Sequence, residues 1–183
     1  ILALVTKSAN DVATTIAENI AGTERKFALL MTAKARELGM RRTTFRNASG
    51  LPHRGQLSTA RDMATLARAL ISDHPNFYSY FSIKGFKYGG RTHKNHNKLL
   101  KTYVGTDGIK TGYIRASGYN LAASVKRGKK RLIGVVFGGN SSKHRNKHMT
   151  TLLNRAFRKF DRLKQKTIKF ALQNPEQKHK ENQ

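Results

Sequence analysis

The 183-residue sequence has no cysteine, no tryptophan and only three prolines. The absence of cysteine excludes disulfide bonds, thiolate zinc sites and a cysteine nucleophile, while it leaves the redox compartment open. No apolar run approaches the roughly 20 residues that a membrane-spanning helix needs. The length suits one domain, or a large part of one, because domains commonly contain about 100 to 200 residues.

Acidic residues are also scarce: 10 Asp and Glu stand against 36 Lys and Arg, which gives a formal net charge of +26. Such a chain attracts any polyanion at low salt. The run "KRGKKR" at 126–131 therefore keeps a basic nucleic-acid or polyanion-binding module open as an alternative. The basic residues are spread along the whole chain, however, and no zinc finger, helix-turn-helix or RNP-like phrase accompanies them. We expect non-specific nucleic-acid binding in vitro.

The first residues, "ILALVTKSAN", contain no initiator Met and begin with apolar side chains at once. An intact start normally shows a helix cap or a polar lead-in. We therefore expect a fragment or a processed product.

Helical spacing dominates the first part of the sequence. Apolar residues recur at this spacing after Asn10 and before Gly22, and again from Thr23 to Gly39. Ser58 or Thr59 is expected to cap a third helix, whose predicted buried stripe comprises Met63, Leu66, Ala67, Leu70 and Ile71.

From about residue 83 the apolar period changes from 3.6 to 2. The segments "SIKGFKYGG", "GIKTGYI", "GYNLAASVKRG" and "KKRLIGVVFGG" are predicted strands, and Gly128 lies in the turn between the last two, which predicts an antiparallel hairpin. A long amphipathic helix is predicted from near Ser141. The fold class is therefore α+β, a helical cluster followed by an antiparallel sheet and a closing helix. Residues 164–183 are predicted to form a basic, disordered tail.

The segment "GTDGIKTGYI", residues 105–114, raises the question of what Lys110 does. A phosphate-binding P-loop requires glycine directly before the lysine and a helix after it. Ile109 precedes Lys110, and a strand is predicted to follow. The sequence is therefore not that of a P-loop.

A different set of motifs accounts for Lys110. "KSANDVA" contains Ser8-Ala9-Asn10 at a helix boundary, and "DGIKTGY" contains Lys110-Thr111-Gly112 on a predicted strand. In penicillin-recognising serine enzymes such S-x-N and K-[ST]-G elements share one cleft with an S-x-x-K nucleophile motif. Together with "FRNASGLP", "STARDMATLARAL", "NHNKLL", "ASGYNLAAS" and "RLIGVVFGG", the chain resembles the D-alanyl-D-alanine carboxypeptidases among the low-molecular-mass penicillin-binding proteins over roughly residues 1–160.

The resemblance implies the β-lactamase/DD-peptidase (transpeptidase-like) fold, incomplete at its N-terminus, over residues 1–163. It also implies a serine-type D-Ala-D-Ala carboxypeptidase that acts on peptidoglycan pentapeptides and reacts with β-lactams. By resemblance, Ser8 relays a proton to the leaving amine, Asn10 hydrogen-bonds the substrate amide, and Lys110 supplies positive potential for the substrate carboxylate. Without the other motifs, Ser8 and Asn10 would be read as helix-capping residues and Lys110 as a solvated strand residue.

Substrate binding is assigned by the same resemblance. Thr111 offers a hydroxyl near the carboxylate, Gly112 leaves the strand bare for substrate, and the backbone amide of Tyr113 is an oxyanion donor. Arg145 is a candidate for bidentate carboxylate binding, weighed against an ordinary surface arginine. His96, in "NHNKLL", is the weakest candidate for the cleft wall.

One element of the family is absent from these residues. No serine is followed by lysine at the third position, since Ser124 is followed there by Arg127 and Ser142 by Arg145. The 183 residues therefore contain no candidate nucleophile, and we expect them to be inactive on their own, because loss of a nucleophile removes nearly all turnover.

Three further expectations complete the interpretation. No glutamate lies between the third helix and Lys110, which argues against a class A β-lactamase. His144 and His148 have the i, i+4 spacing of a metal pair but lack the glutamate of H-E-x-x-H, so neither a metal nor another cofactor is expected. The resemblance implies a periplasmic or cell-envelope location, and the acidic polymers and anionic surfaces found there are possible partners of the basic chain.

Overall fold

The structure is a computed structural model that describes the backbone of residues 1–173 and the side chains of residues 1–166. It contains six α-helices, a short π-helical segment, a 3-10 turn and five strands within that range. The helices are α1 (Asn10–Ala21), α2 (Glu24–Glu37), α3 (Ala60–Asp73), α4 (Pro75–Tyr78), α5 (Leu99–Thr102) and α6 (Ser142–Gln173), with the π-helical segment at Ala3–Lys7 and the 3-10 turn at Ser79–Ser82. The strands are β1 (Gly85–Tyr88), β2 (Arg91–Lys94), β3 (Thr106–Ile114), β4 (Gly118–Arg127) and β5 (Lys130–Gly139).

The first three long helices lie where the sequence predicts them, because their ends are set by local chemistry. The Thr23 hydroxyl accepts a hydrogen bond from the backbone amide of Lys26, and the Thr59 hydroxyl accepts one from that of Asp62. Each threonine thereby satisfies an amide that the first helical turn leaves unpaired. Gly22 ends α1 in the left-handed conformation, at φ 77°.

The main sheet has three antiparallel strands in the order β3-β4-β5. The predicted hairpin is confirmed, with Arg127 paired to Lys130 across its turn. The first predicted strand is present as β1, but it pairs with β2 in a separate two-stranded sheet. β2 was not predicted, because the four residues "RTHK" carry no alternation of apolar and polar side chains.

Two apolar clusters hold β3 in place. On β4, the alternating residues Leu121, Ala123 and Val125 are buried, and they pack with Met149 and Phe157 of α6. On the other side, Ile109 of β3 packs with Ala67 of α3 and Tyr78 of α4. The strand that carries Lys110 is therefore fixed through its sheet and through the helical cluster.

A polar contact fixes the segment between α2 and α3. The buried carboxylate of Asp62 accepts hydrogen bonds from the Thr43 hydroxyl at 2.7 Å and from the Arg42 amide at 2.9 Å. The hydrogen bond from Thr43 is the first cause of a lowered pKa of Asp62. This contact lies in the segment whose residues Ser49–Leu51 border a cavity of about 270 Å³ that Lys110 and Thr111 also line.

The closing helix extends further than the sequence indicated. The predicted boundary between the domain and a disordered tail was 163/164, whereas α6 continues to Gln173. Residues 164–173 therefore belong to the helix and not to the tail, and the segment contains no proline or glycine to stop it. The rest of the predicted tail, 174–183, lies outside the described residues. Among the described residues, no helix combines the length and apolarity needed to cross a bilayer.

Candidate active site

Ser8 stands at the junction between the π-helical segment and α1. Its backbone is left-handed, with φ 58° and ψ 45°, and it is the only non-glycine residue with positive φ among the described residues. A non-glycine residue in this conformation is uncommon and is held by its surroundings. Here the amide of Ser8 donates to the carbonyl of Leu4 at 3.1 Å, which turns the hydroxyl away from the helix axis and toward β3.

Lys110 reaches that hydroxyl from the edge of the main sheet. Its Nζ donates to Ser8 Oγ at 2.8 Å and to the carbonyl oxygen of Thr111 at 2.7 Å. None of the ion pairs found among the described residues involves Lys110. Burial without a carboxylate disfavours the charged form and lowers the pKa of Lys110 to about 8. The amine can therefore both hold and release a proton close to neutral pH.

A cleft of about 740 Å³ opens beside this pair. Thr111, Gly112 and Tyr113 form one wall, and Ser8 and Asn10 border it from the opposite element. The sequence-predicted candidates on these two segments are thus brought to one cavity.

At Gly112 and Tyr113 the surface of β3 that faces the cleft is accessible. A Cβ added at Gly112 would meet no protein atom closer than Asn120 Cβ at 3.8 Å, so packing within the chain does not require glycine there. Tyr113 is 57% exposed, and its ring lies beside that of Tyr119 with 4.4 Å between the ring centroids. The strand therefore presents a bare backbone stretch bordered by an aromatic ring.

Arg145 lies at the base of the cleft and is 3% exposed. Its guanidinium donates to the carbonyl of Asn120 at 3.2 Å and to the side-chain oxygen of Asn146 at 2.8 and 3.1 Å. Both partners are neutral, and no carboxylate pairs with Arg145 among the described residues. A buried guanidinium without a counter-ion is poised to bind an anion from outside the chain.

His96 borders the same cavity, on the segment that follows β2. Its backbone amide donates to the carbonyl of Thr6 at 3.2 Å, and its Nε2 lies 3.4 Å from Nζ of Lys7. Burial, followed by the charges of Lys7, Lys110 and Arg145, lowers the pKa of His96 below its usual value of 6.5. The ring is therefore mainly neutral at pH 7.

Several cleft residues were not singled out from the sequence. The side chain of Asn97 is buried, donates to the carbonyl of Gly108 at 3.1 Å and accepts from the amide of Leu99 at 3.2 Å, which ties the wall to β3. Lys7, Lys94 and Lys98 line the cavity as well. Asn97 stands inside the quoted phrase "NHNKLL", but the three lysines could not be told apart from the other basic residues of the chain.

The remaining sequence candidates lie elsewhere. The rings of His144 and His148 are 6.4 Å apart on α6, and no cluster of three metal-ligating side chains occurs within residues that the structure describes. The basic run 126–131 lies at the β4–β5 turn beside α6. There Lys130 pairs with Asp161 at 2.9 Å, and the guanidinium of Arg127 lies 4.3 Å from the ring centre of Phe157.

Comparison with known proteins places this geometry in a family. The family model described as "D-alanyl-D-alanine carboxypeptidase" matches residues 1–141. The chain is 40% identical over 159 residues to the Escherichia coli D-alanyl-D-alanine carboxypeptidase DacC, covering 86% of this chain and 40% of that protein. It is 39% identical over 165 residues to the D-alanyl-D-alanine carboxypeptidase DacF of Bacillus subtilis, and the match covers 84% of this chain and 41% of that protein. The chain thus spans about two fifths of the length of these curated relatives.

Solved structures agree with the sequence comparison. The D-alanyl-D-alanine carboxypeptidase DacD from Francisella tularensis superimposes with a TM-score of 0.81 at 30% identity, over 85% of this chain and 50% of that one. Penicillin-binding protein 6B from Escherichia coli superimposes with a TM-score of 0.78 at 39% identity, and the match covers 84% of this chain and 49% of that one. The fold is therefore the DD-peptidase fold shared with β-lactamases, as predicted, and the chain belongs to the D-alanyl-D-alanine carboxypeptidase family of serine peptidases.

Proposed function

We propose that the cleft between Ser8 and Lys110 is the substrate-binding part of a serine-type D-Ala-D-Ala carboxypeptidase that acts on peptidoglycan stem peptides. The observation that carries the proposal is the 2.8 Å contact between Lys110 Nζ and Ser8 Oγ at the edge of a cleft that also contains Arg145. A buried amine, a hydroxyl and an unpaired guanidinium are suited to a substrate that ends in a carboxylate and leaves as an amine.

The terminal D-alanine carboxylate would bind at the cationic end of the cleft. Arg145 and the Thr111 hydroxyl would bind its oxygens, and Lys110 would add positive potential. The scissile carbonyl would then lie along the bare backbone at Gly112, with the Tyr113 amide donating to the oxygen as negative charge develops on it. Asn10, at the start of α1, would orient the substrate amide.

Proton transfer follows from the environment of Lys110. A pKa of about 8 allows the amine to exchange a proton with the Ser8 hydroxyl near neutral pH. When the acyl bond forms and the peptide C–N bond breaks, the departing nitrogen needs one proton. Ser8 would donate it and would be reprotonated from Lys110, and the proton that the attacking serine gives up as the acyl bond forms would return to Lys110.

Acyl transfer also needs a nucleophile, and these 183 residues contain no S-x-x-K sequence. We propose that the nucleophilic serine is supplied by residues outside them and that the chain by itself forms no acyl-enzyme. The same site would take β-lactams, since the family relative penicillin-binding protein D2 from Listeria monocytogenes has been solved in cefotaxime-bound and ampicillin-bound forms. A cell-envelope location accords with this substrate.

The test is intact-mass analysis after incubation with a reactive β-lactam. The chain alone is compared with a version that is extended at its N-terminus by an S-x-x-K segment, and the matched control replaces the serine of that segment by alanine. We expect the mass of one drug on the extended protein only. Acylation of the chain alone, or equal labelling of the alanine control, would contradict the assignment of the nucleophile. No labelling of the extended protein would contradict the carboxypeptidase assignment itself.

A further inference from the structure

The cleft contains more positive charge than one substrate carboxylate requires. Lys7, Lys94, Lys98 and Arg145 line it, and Lys110 lines a smaller cavity that shares Ser8 and Thr111 with it. No aspartate or glutamate of the described residues lines either cavity. The ion pairs found among the described residues are Lys34–Glu37, Lys130–Asp161 and Arg131–Asp107, all of them outside the cleft.

These cations form two separate groups. Arg145 is buried and Lys110 is half-buried, and the proposed function uses both for the terminal carboxylate. Lys7, Lys94 and Lys98 are exposed, and they stand on the π-helical segment and on the segment that runs from β2 to α5. We call these three the outer lysines.

The backbone that carries the outer lysines is firmly connected. The amide of His96 donates to Thr6, which joins the two segments, and the amide of Asn95 donates to the carbonyl of Lys84 at 2.9 Å. Asn97, 2% exposed, fastens the same stretch to β3 through Gly108. The Cα positions of the outer lysines are therefore fixed on the border of the cavity.

His96 lines the same cavity, and burial, followed by the charges of Lys7, Lys110 and Arg145, lowers its pKa. A concave surface with cations on several sides and no acid focuses positive potential on whatever enters it. Lysine ammonium groups are strongly hydrated point charges, so they attract an anionic group without demanding the bidentate geometry of an arginine site.

We infer that the outer lysines form a second anionic subsite, so that the cleft selects D-Ala-D-Ala-ended peptides that carry a further carboxylate besides the C-terminal one. The inference rests on the proposed function, since it takes the terminal carboxylate to be bound by Lys110 and Arg145. It assigns substrate preference to Lys94 and Lys98, which the sequence did not single out. Because the outer lysines are exposed, their effect is modest and falls as salt rises.

The test uses two isosteric probes, acetyl-D-Glu-D-Ala-D-Ala and acetyl-D-Gln-D-Ala-D-Ala, titrated into the isotopically labelled chain and followed by NMR shifts of cleft amides. We expect the glutamate peptide to bind roughly three- to tenfold more tightly at low salt. The preference should fall by at least half in the double variant Lys94→Gln/Lys98→Gln, which leaves only Lys7 at the subsite. Lys129→Gln, which removes an exposed charge from the β4–β5 turn, is the matched control and should keep it.

The outcomes separate the subsite from the function on which it rests. Equal affinity for both peptides, with binding abolished by Arg145→Gln, would overturn the second subsite and leave the carboxypeptidase assignment standing. A preference that Lys129→Gln reduces as much as the double variant does would also overturn it, since the cause would then be net charge. Binding of neither peptide would overturn both. Circular dichroism and the amide spectrum of each variant establish that the fold is retained.

Discussion

Lys110 Nζ donates a hydrogen bond to Ser8 Oγ at 2.8 Å, although 102 positions of the sequence separate the two residues. The contact joins the edge of the main sheet to the turn at which α1 begins. It places a buried amine and a hydroxyl in one cleft, and no carboxylate among the described residues neutralises that amine. The first two predictions concern these two residues.

Lys110→Met should remove a pH dependence of stability. The folded-state pKa of Lys110 is about 8 and its ordinary value is 10.5. Between these values the unfolded chain binds more protons than the folded chain, so the free energy of unfolding rises with pH. Below pH 8 the cost of burying the charged amine is fully present, and the variant should be more stable than the parent by up to about 3 kcal/mol. That difference should shrink as pH approaches 10.5.

Urea denaturation of parent and variant from pH 7 to 10.5 measures this effect. Lys129→Met, at an exposed turn position, is the control and should have the pH profile of the parent. Parallel profiles for the parent and Lys110→Met would show that Lys110 titrates normally in the folded chain.

Two substitutions at Ser8 should separate its backbone from its hydroxyl. Ser8→Ala removes the hydrogen bond with Lys110 but keeps a Cβ at φ 58°, so we expect a loss of about 1 kcal/mol in the free energy of unfolding. Ser8→Gly removes the same hydrogen bond and also the left-handed backbone penalty, so it should be more stable than Ser8→Ala by about 1 kcal/mol. Urea unfolding measures both. An alanine variant as stable as the glycine variant would show that the left-handed turn carries no cost.

Gly139→Ala should displace Arg145. A Cβ at Gly139 would lie 2.8 Å from Arg145 Cβ, 3.1 Å from the carbonyl oxygen of Tyr119 and 3.2 Å from Arg145 Cα. These atoms belong to the backbone or next to it, so the end of β5 and the start of α6 would have to separate. We expect a destabilisation of about 1 to 3 kcal/mol in urea denaturation, together with weaker binding of D-Ala-D-Ala-ended peptides.

Gly112→Ala is the matched control for this substitution. Its Cβ would meet only Asn120 Cβ, at 3.8 Å, so stability should change by less than about 0.5 kcal/mol. Peptide binding should still weaken, because the methyl group projects into the cleft wall. Strong destabilisation by Gly112→Ala would mean that this glycine is needed for folding rather than for an open cleft.

Asp107→Asn should destabilise the chain more than removal of an exposed ion pair does. Asp107 and Arg131 pair at 2.7 Å with side chains that are 28% and 26% exposed, and Arg131 also lies over the ring of Tyr78. The substitution leaves a half-buried guanidinium without its counter-ion, with an expected loss of about 1 to 3 kcal/mol.

Glu37→Gln is the matched variant for an exposed ion pair. The side chains of Lys34 and Glu37, which form that pair, are 68% and 62% exposed. This variant should change the free energy of unfolding by less than about 0.5 kcal/mol. Equal effects of Asp107→Asn and Glu37→Gln on thermal or urea unfolding would show that burial adds nothing to the Asp107–Arg131 pair.

The sequence predicted best those elements that are set by interactions between residues close together in the chain. α1, α2, α3 and the β4–β5 hairpin were predicted well, because caps such as Thr23 and Thr59 and a turn such as that at Gly128 act within a few residues. β2 was missed because it is polar throughout and is stabilised by pairing with β1 rather than by burial. α6 continues past the predicted boundary, since no proline or glycine interrupts it before Gln173.

The amino-acid sequence by itself determined the long helices, the main-sheet strands, the excess of positive charge and, through recurring phrases, the family. Only the tertiary structure decided that Ser8 meets Lys110, that Arg145 is buried with no counter-ion among the described residues, and that Lys7, Lys94 and Lys98 border one cleft. The physical reason is that helix caps and strand alternation are set by neighbours in the chain. The charge state and pairing of a side chain, by contrast, depend on burial and on groups that only folding brings near.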